Sequence, residues 1–191
     1  LEKQQGWIDG LVVTGGEPTL QPDLAEFLRQ VRRLEVQTKL ETNGSRPETI
    51  AALLEEKLLD CLCLDYKAPL DGRLARAAGV DPMGEPAAAV VRSFALAAAS
   101  GLDREYHTTL CPPFVDEATL EEMARTLEAG GLWVLQQYEP QEVLDLEQAG
   151  NRRYDQDELT RLEAIARKHH EAVMLRQGRT PRSREKLTDG L

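Results

Sequence analysis

Residues 11–20 read LVVTGGEPTL. Three apolar residues run into two adjacent glycines, a carboxylate and a proline, a pattern typical of a buried strand that ends in a sharp turn. Adjacent glycines adopt backbone conformations that side chains forbid, and they leave backbone N–H and C=O groups open to a polar ligand. Glu17 follows at the carboxyl end of the strand, the edge where α/β folds carry their chemistry. Alone, the motif fits both a ligand-binding turn and an ordinary strand-to-helix turn.

Composition restricts the class of protein. The 191 residues suit one globular domain, with 41% hydrophobic and 29% charged residues. The formal net charge of −10, from 33 acidic and 23 basic side chains, argues against nucleic-acid binding, which needs positive charge to neutralise phosphates. No run of about 18 apolar residues is present, so no membrane span is predicted. An odd number of cysteines, three, and a start without a signal-peptide pattern predict a reducing, cytoplasmic location.

Apolar periodicity switches repeatedly between strand and helix along the chain. Predicted strands cover residues 11–14, 36–42, 60–67, 104–111, 132–138 and 173–176, and predicted helices cover residues 23–31, 47–57, 87–100, 116–129 and 155–169. The connections are too long for hairpins, so they predict a parallel sheet wrapped by helices. A doubly wound sheet and a (β/α) barrel both satisfy this α/β pattern.

The remaining segments are predicted from composition. Residues 1–9 are expected to be the end of a helix, and the lack of an initiating Met leads us to expect a fragment of a longer protein. Residues 69–86, rich in Gly and Pro, are predicted to be a long irregular connection with one short helix. Residues 178–191 are predicted to be a disordered polar tail, which leaves residues 1–177 as one domain.

Polar residues lie at the carboxyl ends of five predicted strands. Because parallel strands end at one edge, these residues are candidates for a shared site. They are Thr14, Gly15, Gly16 and Glu17, then Glu41, Thr42, Asn43 and Gly44, then Asp65 and Lys67, then His107 and Thr109, and finally Gln136, Gln137 and Tyr138.

The third predicted strand carries an unusual pair of charges. Its period of two places Asp65 and Lys67 on one face with Cys61 and Cys63. Opposite charges on a mostly apolar strand are costly to bury unless they are paired or bound to a ligand. An internal ion pair and a site for a zwitterionic ligand both fit. His107 is compatible with a core position and, if odd positions face inward, with the same cavity as Asp65.

Five motifs in order resemble the radical SAM superfamily and, within it, the glycyl-radical activating enzymes. They are VVTGGEPTL at 12–20, KLETNGS at 39–45, DYKAP at 65–69, YHTTLCPP at 106–113 and VLQQY at 134–138. The resemblance covers about residues 6–177. It is strongest to the activating proteins of anaerobic ribonucleoside-triphosphate reductases, and pyruvate formate-lyase activating enzymes are similar.

The resemblance implies a partial (β/α)6 barrel that binds S-adenosylmethionine and a 4Fe–4S cluster. An electron from the cluster, supplied by a flavodoxin or ferredoxin-like donor, cleaves S-adenosylmethionine, and the resulting radical removes hydrogen from a glycine of the partner reductase. By position, the Gly15–Gly16–Glu17 turn with Thr14 and Pro18 would hold the methionine amino group. Glu41, Thr42 and Asn43 would border the ligand. Asp65 and Lys67 would lie beside its carboxylate, where a monovalent cation can also sit, and His107, Thr109 and Gln137 would complete the site.

One departure from the family concerns the cluster. The family ligates three irons with a Cys-x3-Cys-x2-Cys loop after its first strand, and Cys61, Cys63 and Cys111 do not have that spacing. We therefore expect the first strand and cluster loop to be missing, no catalytic residue in this chain, and no activity for the chain alone. Alternatives are a cluster-free module that binds S-adenosylmethionine or a partner, an activase for pyruvate formate-lyase or another glycyl-radical enzyme, and a radical SAM enzyme acting on a small molecule.

Overall fold

A computed structural model describes residues 7–77, 86–140 and 151–177. In these ranges a single sheet contains six parallel strands in the sequential order β1 to β6. The strands are β1 Gly10–Val13, β2 Gln37–Thr42, β3 Cys61–Asp65, β4 Asp103–Leu110, β5 Leu132–Gln137 and β6 Val173–Arg176. The helices are α1 Leu24–Arg32, α2 Pro47–Glu55, α3 Gly72–Ala77, α4 Pro86–Ala99, α5 Glu117–Thr126 and α6 Gln156–Arg167, with a 3-10 turn at Pro18–Leu20.

The six predicted strands and five predicted helices are confirmed, and the short helix expected between residues 69 and 86 is α3. Local signals account for several helix ends. The Asp155 carboxylate accepts a hydrogen bond from the backbone N–H of Glu158, whose own carboxylate accepts from the N–H of Asp155, a capping box that starts α6. The helix predicted to reach residue 129 ends at Thr126, because Leu127 turns to extended backbone with its side chain buried.

The prediction of a helix end over residues 1–9 is wrong for residues 7–9, and residues 1–6 lie outside the described ranges. The Asp9 carbonyl accepts a hydrogen bond from the backbone N–H of Gln37, so the chain already runs beside β2 at this point. Trp7 is 89% exposed. The predicted tail 178–191 also falls outside the described residues.

The sequential strand order decides between the two topologies that the sequence left open. A doubly wound sheet reverses its strand order part-way, so that helices cover both faces. Here each strand pairs with its predecessor in parallel, and right-handed crossovers place every helix on one side. The core confirms this, since residues of α1, α2, α4, α5 and α6 pack with one face of the strands. The fold is an α/β sheet of the partial-barrel type.

The two faces of the sheet differ sharply in polarity. Toward the helices, the strands bury a dense apolar layer that includes Leu40, Leu62, Leu64, Tyr106 and Trp133. The register aligns the opposite side chains into rows across the strands. We call this second surface the open face; its central side chains are Lys39 and Glu41 of β2, Cys61, Cys63 and Asp65 of β3, and Glu105 and His107 of β4. A polar surface thus lines the inside of the curved sheet.

Candidate functional site at the carboxyl edge

Glu17 joins the ends of the first two strands. Its carboxylate accepts hydrogen bonds from the backbone N–H of Thr19 at 3.0 Å and from the Thr19 hydroxyl. It also accepts from the Thr42 hydroxyl at 2.6 Å and the backbone N–H of Asn43 at 2.8 Å. Three of these donors reach Oε1 and only the Asn43 N–H reaches Oε2, so Oε2 keeps an acceptor position for a further donor. The structural effect of Glu17 is to fix the turn after β1 against the end of β2.

The glycine turn is open to solvent. Gly15 and Gly16 have φ angles of +92° and +51°, a region that side chains rarely adopt. A Cβ built on either residue would meet no atom within 4 Å, so backbone conformation rather than packing demands glycine here. Both residues are exposed, as is Thr14, whereas Pro18 is buried. The turn therefore presents accessible peptide groups at the carboxyl edge.

The Asn43–Gly44 turn closes the next strand. Asn43 Oδ1 accepts a hydrogen bond from the backbone N–H of Ser45 at 2.8 Å, which shapes the turn. The Gly44 carbonyl accepts a hydrogen bond from Ser93 Oγ at 2.7 Å, which anchors the turn to α4. Thr42 is buried with its hydroxyl on Glu17. Two of the residues predicted to border a ligand, Thr42 and Asn43, thus build the wall of the edge together with Gly44.

Asp65 and Lys67 form the predicted ion pair at the end of β3. Lys67 Nζ lies 3.0 Å from Asp65 Oδ2, and the side chains remain 40% and 36% exposed. An ion pair so open to water contributes about 1 kcal/mol or less to folding. Asp65 also pairs in register with His107 of β4, so the two side chains share the open face. The pair can therefore exchange partners with a ligand at little cost in stability.

A charged network on the open face extends below the edge. Lys39 Nζ lies 2.6 Å from Glu105 Oε2 and 3.4 Å from Glu41 Oε1. His107 Nε2 lies 3.0 Å from the same Glu105 oxygen. Burial acts to raise the pKa of Glu105, but the hydrogen bonds from Lys39 and His107 outweigh it and hold that pKa below its ordinary value. Burial likewise acts to lower the pKa of Lys39, and the bond to Glu105 and nearby negative groups leave it raised.

Sequence reasoning did not assign Glu105 or Lys39 to a site. The available signal for Glu105 was its position two residues before His107, which places both side chains on one face of a strand. The partnership of Lys39 with Glu105 spans 66 residues and depends on the register of β2, β3 and β4. No spacing in the sequence indicates that contact.

Cys63 and Cys111 are buried, Cys61 is half-buried, and the three do not form a cluster site. Burial raises the pKa of the Cys61 thiol to about 11 and also raises those of Cys63 and Cys111. All three are free thiols, and the residues outside the described ranges contain no cysteine. Within the described residues, the three thiols do not group as ligands around one point. These cysteines therefore do not provide the three convergent thiolates that a 4Fe–4S cluster of this type needs.

Two candidates from β4 and β5 separate in the structure. Thr109 is exposed on the open face, in register with the exposed Gln136. Gln137 is only 3% exposed, on the helix-covered face, and its Nε2 donates to the Tyr154 carbonyl at 2.7 Å. The placement of Gln137 with the other candidates was wrong by one residue, because alternate side chains of a strand point to opposite faces.

A cavity of about 620 Å³ opens at the other end of the open face, away from Glu17 and Asp65. Its lining includes Lys39, Cys61 and Glu105 together with the amino ends of several strands. This cavity gives access to the charged network from below.

The sequence of this chain matches one known protein family. The family model described as the radical SAM superfamily matches residues 1–128. The chain belongs to the radical SAM superfamily. The matched range includes the glycine turn, and β1 before that turn is exposed or half-buried, not buried as the sequence predicted.

Two relatives of known name match this chain over very different lengths. A Methanocaldococcus jannaschii protein named "Putative glycyl-radical enzyme activating enzyme MJ1227" is 31% identical over 169 residues, which are 88% of this chain and 70% of that protein. A "Probable GTP 3',8-cyclase" of Pyrococcus abyssi is 44% identical over only 48 residues, 25% of this chain and 16% of that protein. The longer match places this radical SAM chain beside a protein named for activation of glycyl-radical enzymes.

Solved structures share the architecture. A domain of pyruvate-formate lyase-activating enzyme from Bacteroides vulgatus superposes with a TM-score of 0.68 at 16% identity, covering 89% of this chain and 99% of that domain. A radical SAM methyltransferase from Sphaerobacter thermophilus also gives 0.68, at 23% identity, covering 90% of this chain and 52% of that one. At these identities the likeness concerns the fold. Among the described residues of this radical SAM chain, no helix is long and apolar enough to cross a membrane.

Proposed function

We propose that this radical SAM chain is the S-adenosylmethionine-binding body of a glycyl-radical enzyme activating enzyme. The observation that carries the proposal is the carboxyl edge, where the exposed Gly15–Gly16 backbone faces solvent near the half-exposed Asp65–Lys67 pair. Peptide carbonyls accept hydrogen bonds from an ammonium group, and a lysine pairs with a carboxylate. Such an edge complements the zwitterionic methionine moiety of S-adenosylmethionine.

The contacts of Glu17 refine its proposed role. Three protein donors bind its Oε1, whereas Oε2 accepts only from the Asn43 N–H. The methionine ammonium would then be bound by the carbonyls of the glycine turn together with Glu17 Oε2. Glu17 also fixes the shape of the turn, so its proposed role is both binding and positioning.

The remaining candidates are proposed to surround the ligand. Lys67 would bind the methionine carboxylate, with a monovalent cation beside Asp65. Glu41, Thr42 and Asn43 would form the wall next to the glycine turn. Farther along the edge, His107 and Thr109 would face the ligand from β4.

For the whole protein, we propose reductive cleavage of S-adenosylmethionine and formation of a glycyl radical on anaerobic ribonucleoside-triphosphate reductase. A flavodoxin or ferredoxin-like donor would supply the electron. The described residues do not provide the ligands of a 4Fe–4S cluster, so no radical step is assigned to them. Their proposed tasks are binding of S-adenosylmethionine and recognition of the partner. This division rests on the name of the Methanocaldococcus relative and on the geometry of the edge.

Calorimetric titration of the 191-residue chain with S-adenosylmethionine tests the proposed site. Lys67→Met should weaken binding by about 10- to 100-fold, because a charge-assisted hydrogen bond contributes about 1.5–3 kcal/mol. Lys168→Met, a matched change at the exposed end of α6, should leave the affinity unchanged. Lack of binding by the unaltered chain would refute the proposed function, and equal loss in both variants would refute the role of Lys67.

The choice of partner is tested by binding to purified glycyl-radical enzymes. Surface plasmon resonance should show the immobilised chain binding anaerobic ribonucleoside-triphosphate reductase at least about tenfold more tightly than pyruvate formate-lyase, a difference of about 1.4 kcal/mol. The reverse order would favour a pyruvate formate-lyase activase. Binding of S-adenosylmethionine without binding of either enzyme would favour the cluster-free module.

A further inference from the structure

Three side chains of different chemical types meet near the centre of the open face. Glu41 of β2, Cys63 of β3 and His107 of β4 each place one potential ligand atom within 4.8 Å of the others. Among the described residues, no other group of three or more His, Cys, Asp or Glu side chains is so placed. We propose that these residues, which we call the trio, bind a divalent transition-metal ion of the zinc type.

The donor set selects the class of metal. A thiolate, an imidazole and a carboxylate are all established ligands of zinc, whereas Mg²⁺ and Ca²⁺ prefer oxygen alone. A tetrahedral zinc ion with bonds of about 2.0–2.3 Å holds its ligand atoms about 3.5 Å apart. Side-chain rotations that close the trio by about 1 Å reach that geometry while the paired strands hold the backbone in place. The fourth position stays open for water or a small ligand.

The surroundings provide a second observation that favours a metal. Glu105 lies 3.0 Å from His107 Nε2, which leaves Nδ1 as the nitrogen for a metal. Metal-ligating histidines almost always give their second ring nitrogen to such a hydrogen-bond partner, which orients the ring. Cys63 is 1% exposed, and its ligand atom lies within 4.8 Å of those of Glu41 and His107. A buried thiol thus lies near a carboxylate and an oriented imidazole.

The local charge also matches a divalent ion. Lys39 lies 2.6 Å from Glu105 and 3.4 Å from Glu41. Two carboxylates and one ammonium leave one negative charge, and the Cys63 thiolate formed on metal binding makes it two. A divalent ion neutralises that charge, whereas a monovalent ion does not. The cavity on the open face reaches Lys39 and Glu105, the charged residues next to the trio.

The trio shares Glu41 and His107 with the residues proposed to surround S-adenosylmethionine, and Cys63 adds a thiol that lies deeper on the open face. Cys63 precedes Asp65 by two residues on β3. Its Cα therefore lies about 6–7 Å farther from the carboxyl edge. The monovalent cation proposed at Asp65 would use oxygen donors, whereas the trio offers sulfur and nitrogen. The metal proposal does not depend on binding of S-adenosylmethionine and can be tested separately.

The test titrates the chelator-treated 191-residue chain with Co²⁺ and Zn²⁺ at mildly alkaline pH. Co²⁺ should produce a thiolate-to-cobalt charge-transfer band that saturates at one ion per chain, and competition should give the zinc affinity. Cys63→Ala should abolish the band, and Cys63→Ala or His107→Ala should weaken zinc binding by more than about a hundredfold, beyond the 10- to 100-fold loss usual for outer partners. Glu105→Gln should weaken it by about tenfold.

Matched controls use the other two cysteines and the neighbouring carboxylate. Cys61→Ala, Cys111→Ala and Asp65→Asn should each keep the charge-transfer band and the zinc affinity. Circular dichroism will show whether Cys63→Ala remains folded, and His107→Ala, at a half-buried position, gives a second route to the same answer. Absence of a thiolate band in the unaltered chain, or its persistence in Cys63→Ala, would overturn the proposal. Loss of zinc binding in Asp65→Asn, with binding retained in the cysteine controls, would also overturn the proposal.

Discussion

Trp133→Ala is expected to lower the free energy of unfolding by about 3–5 kcal/mol, the range for large aromatic residues removed from a core. Trp133 is 0% exposed, and its ring centroid lies 6.1 Å from that of Tyr66 and 5.2 Å from that of His170. Its Nε1–H donates to Thr108 Oγ1 at 2.9 Å. The substitution therefore removes a packed ring and leaves the Thr108 oxygen without this donor. Typical domains have only about 5–15 kcal/mol of stability in total.

The chain offers a matched control, because its only other tryptophan is Trp7. Trp7 is 89% exposed, so Trp7→Ala should change the free energy of unfolding by about 0.5 kcal/mol or less. Urea denaturation followed by circular dichroism measures both variants. Trp7→Ala also makes Trp133 the sole indole, whose fluorescence then reports the core directly. Similar destabilisation by the two substitutions would contradict the placement of Trp133 in the core.

Glu17→Gln is expected to weaken S-adenosylmethionine binding by about 10- to 100-fold and to destabilise the chain by about 1–3 kcal/mol. An amide nitrogen cannot accept the hydrogen bonds that the carboxylate takes from the Thr42 hydroxyl or from the backbone N–H of Asn43. A donor left unsatisfied in a partly buried site costs about 1–3 kcal/mol. The glycine turn then loses its attachment to β2, and the negative charge near the proposed ammonium site disappears.

Calorimetry with S-adenosylmethionine and urea denaturation measure these two effects separately. Glu48→Gln, at an exposed glutamate that pairs with Arg92 on the helical side, is the matched control and should change neither. A loss of stability with unchanged affinity would limit Glu17 to a structural role. Unchanged stability and affinity would contradict the contacts of Glu17.

Most of the fold could be predicted because its signals are local. The alternation of apolar runs with amphipathic helices, and the glycines and prolines between them, indicated every strand and helix of the described ranges to within a few residues. The apolar pattern alone could not choose between a doubly wound sheet and a barrel, because strand order depends on pairings across the chain. The resemblance to the radical SAM superfamily predicted the partial barrel, and the sequential strand order confirms it. The error at residues 7–9 has the same origin, since the bond between Asp9 and Gln37 joins separate segments.

The candidate site could be predicted in part. The period of two correctly placed Asp65, Lys67 and His107 on one face, and the register confirms that Asp65 and His107 are neighbours. The same period of two places Gln137 on the opposite, helix-covered face. The sequence could not show this, because it did not fix the start of β5 to one residue. The four hydrogen bonds to Glu17 were not foreseeable, because two of their donors come from the end of β2.

The sequential strand order has a consequence for synthesis on the ribosome. Each new strand pairs with the one made just before it, as Leu11 with Thr38 and Lys39 with Cys61. No strand has to wait for a later one or insert between two earlier ones, as the central strand of a doubly wound sheet must wait for neighbours on both sides. Successive strands start 24 to 42 residues apart. Since chains emerge at about 5–20 residues per second, each unit has about 1–8 s to dock before the next appears. The nascent protein can therefore fold strand by strand. At each stage the last strand formed is the edge on which the next strand pairs.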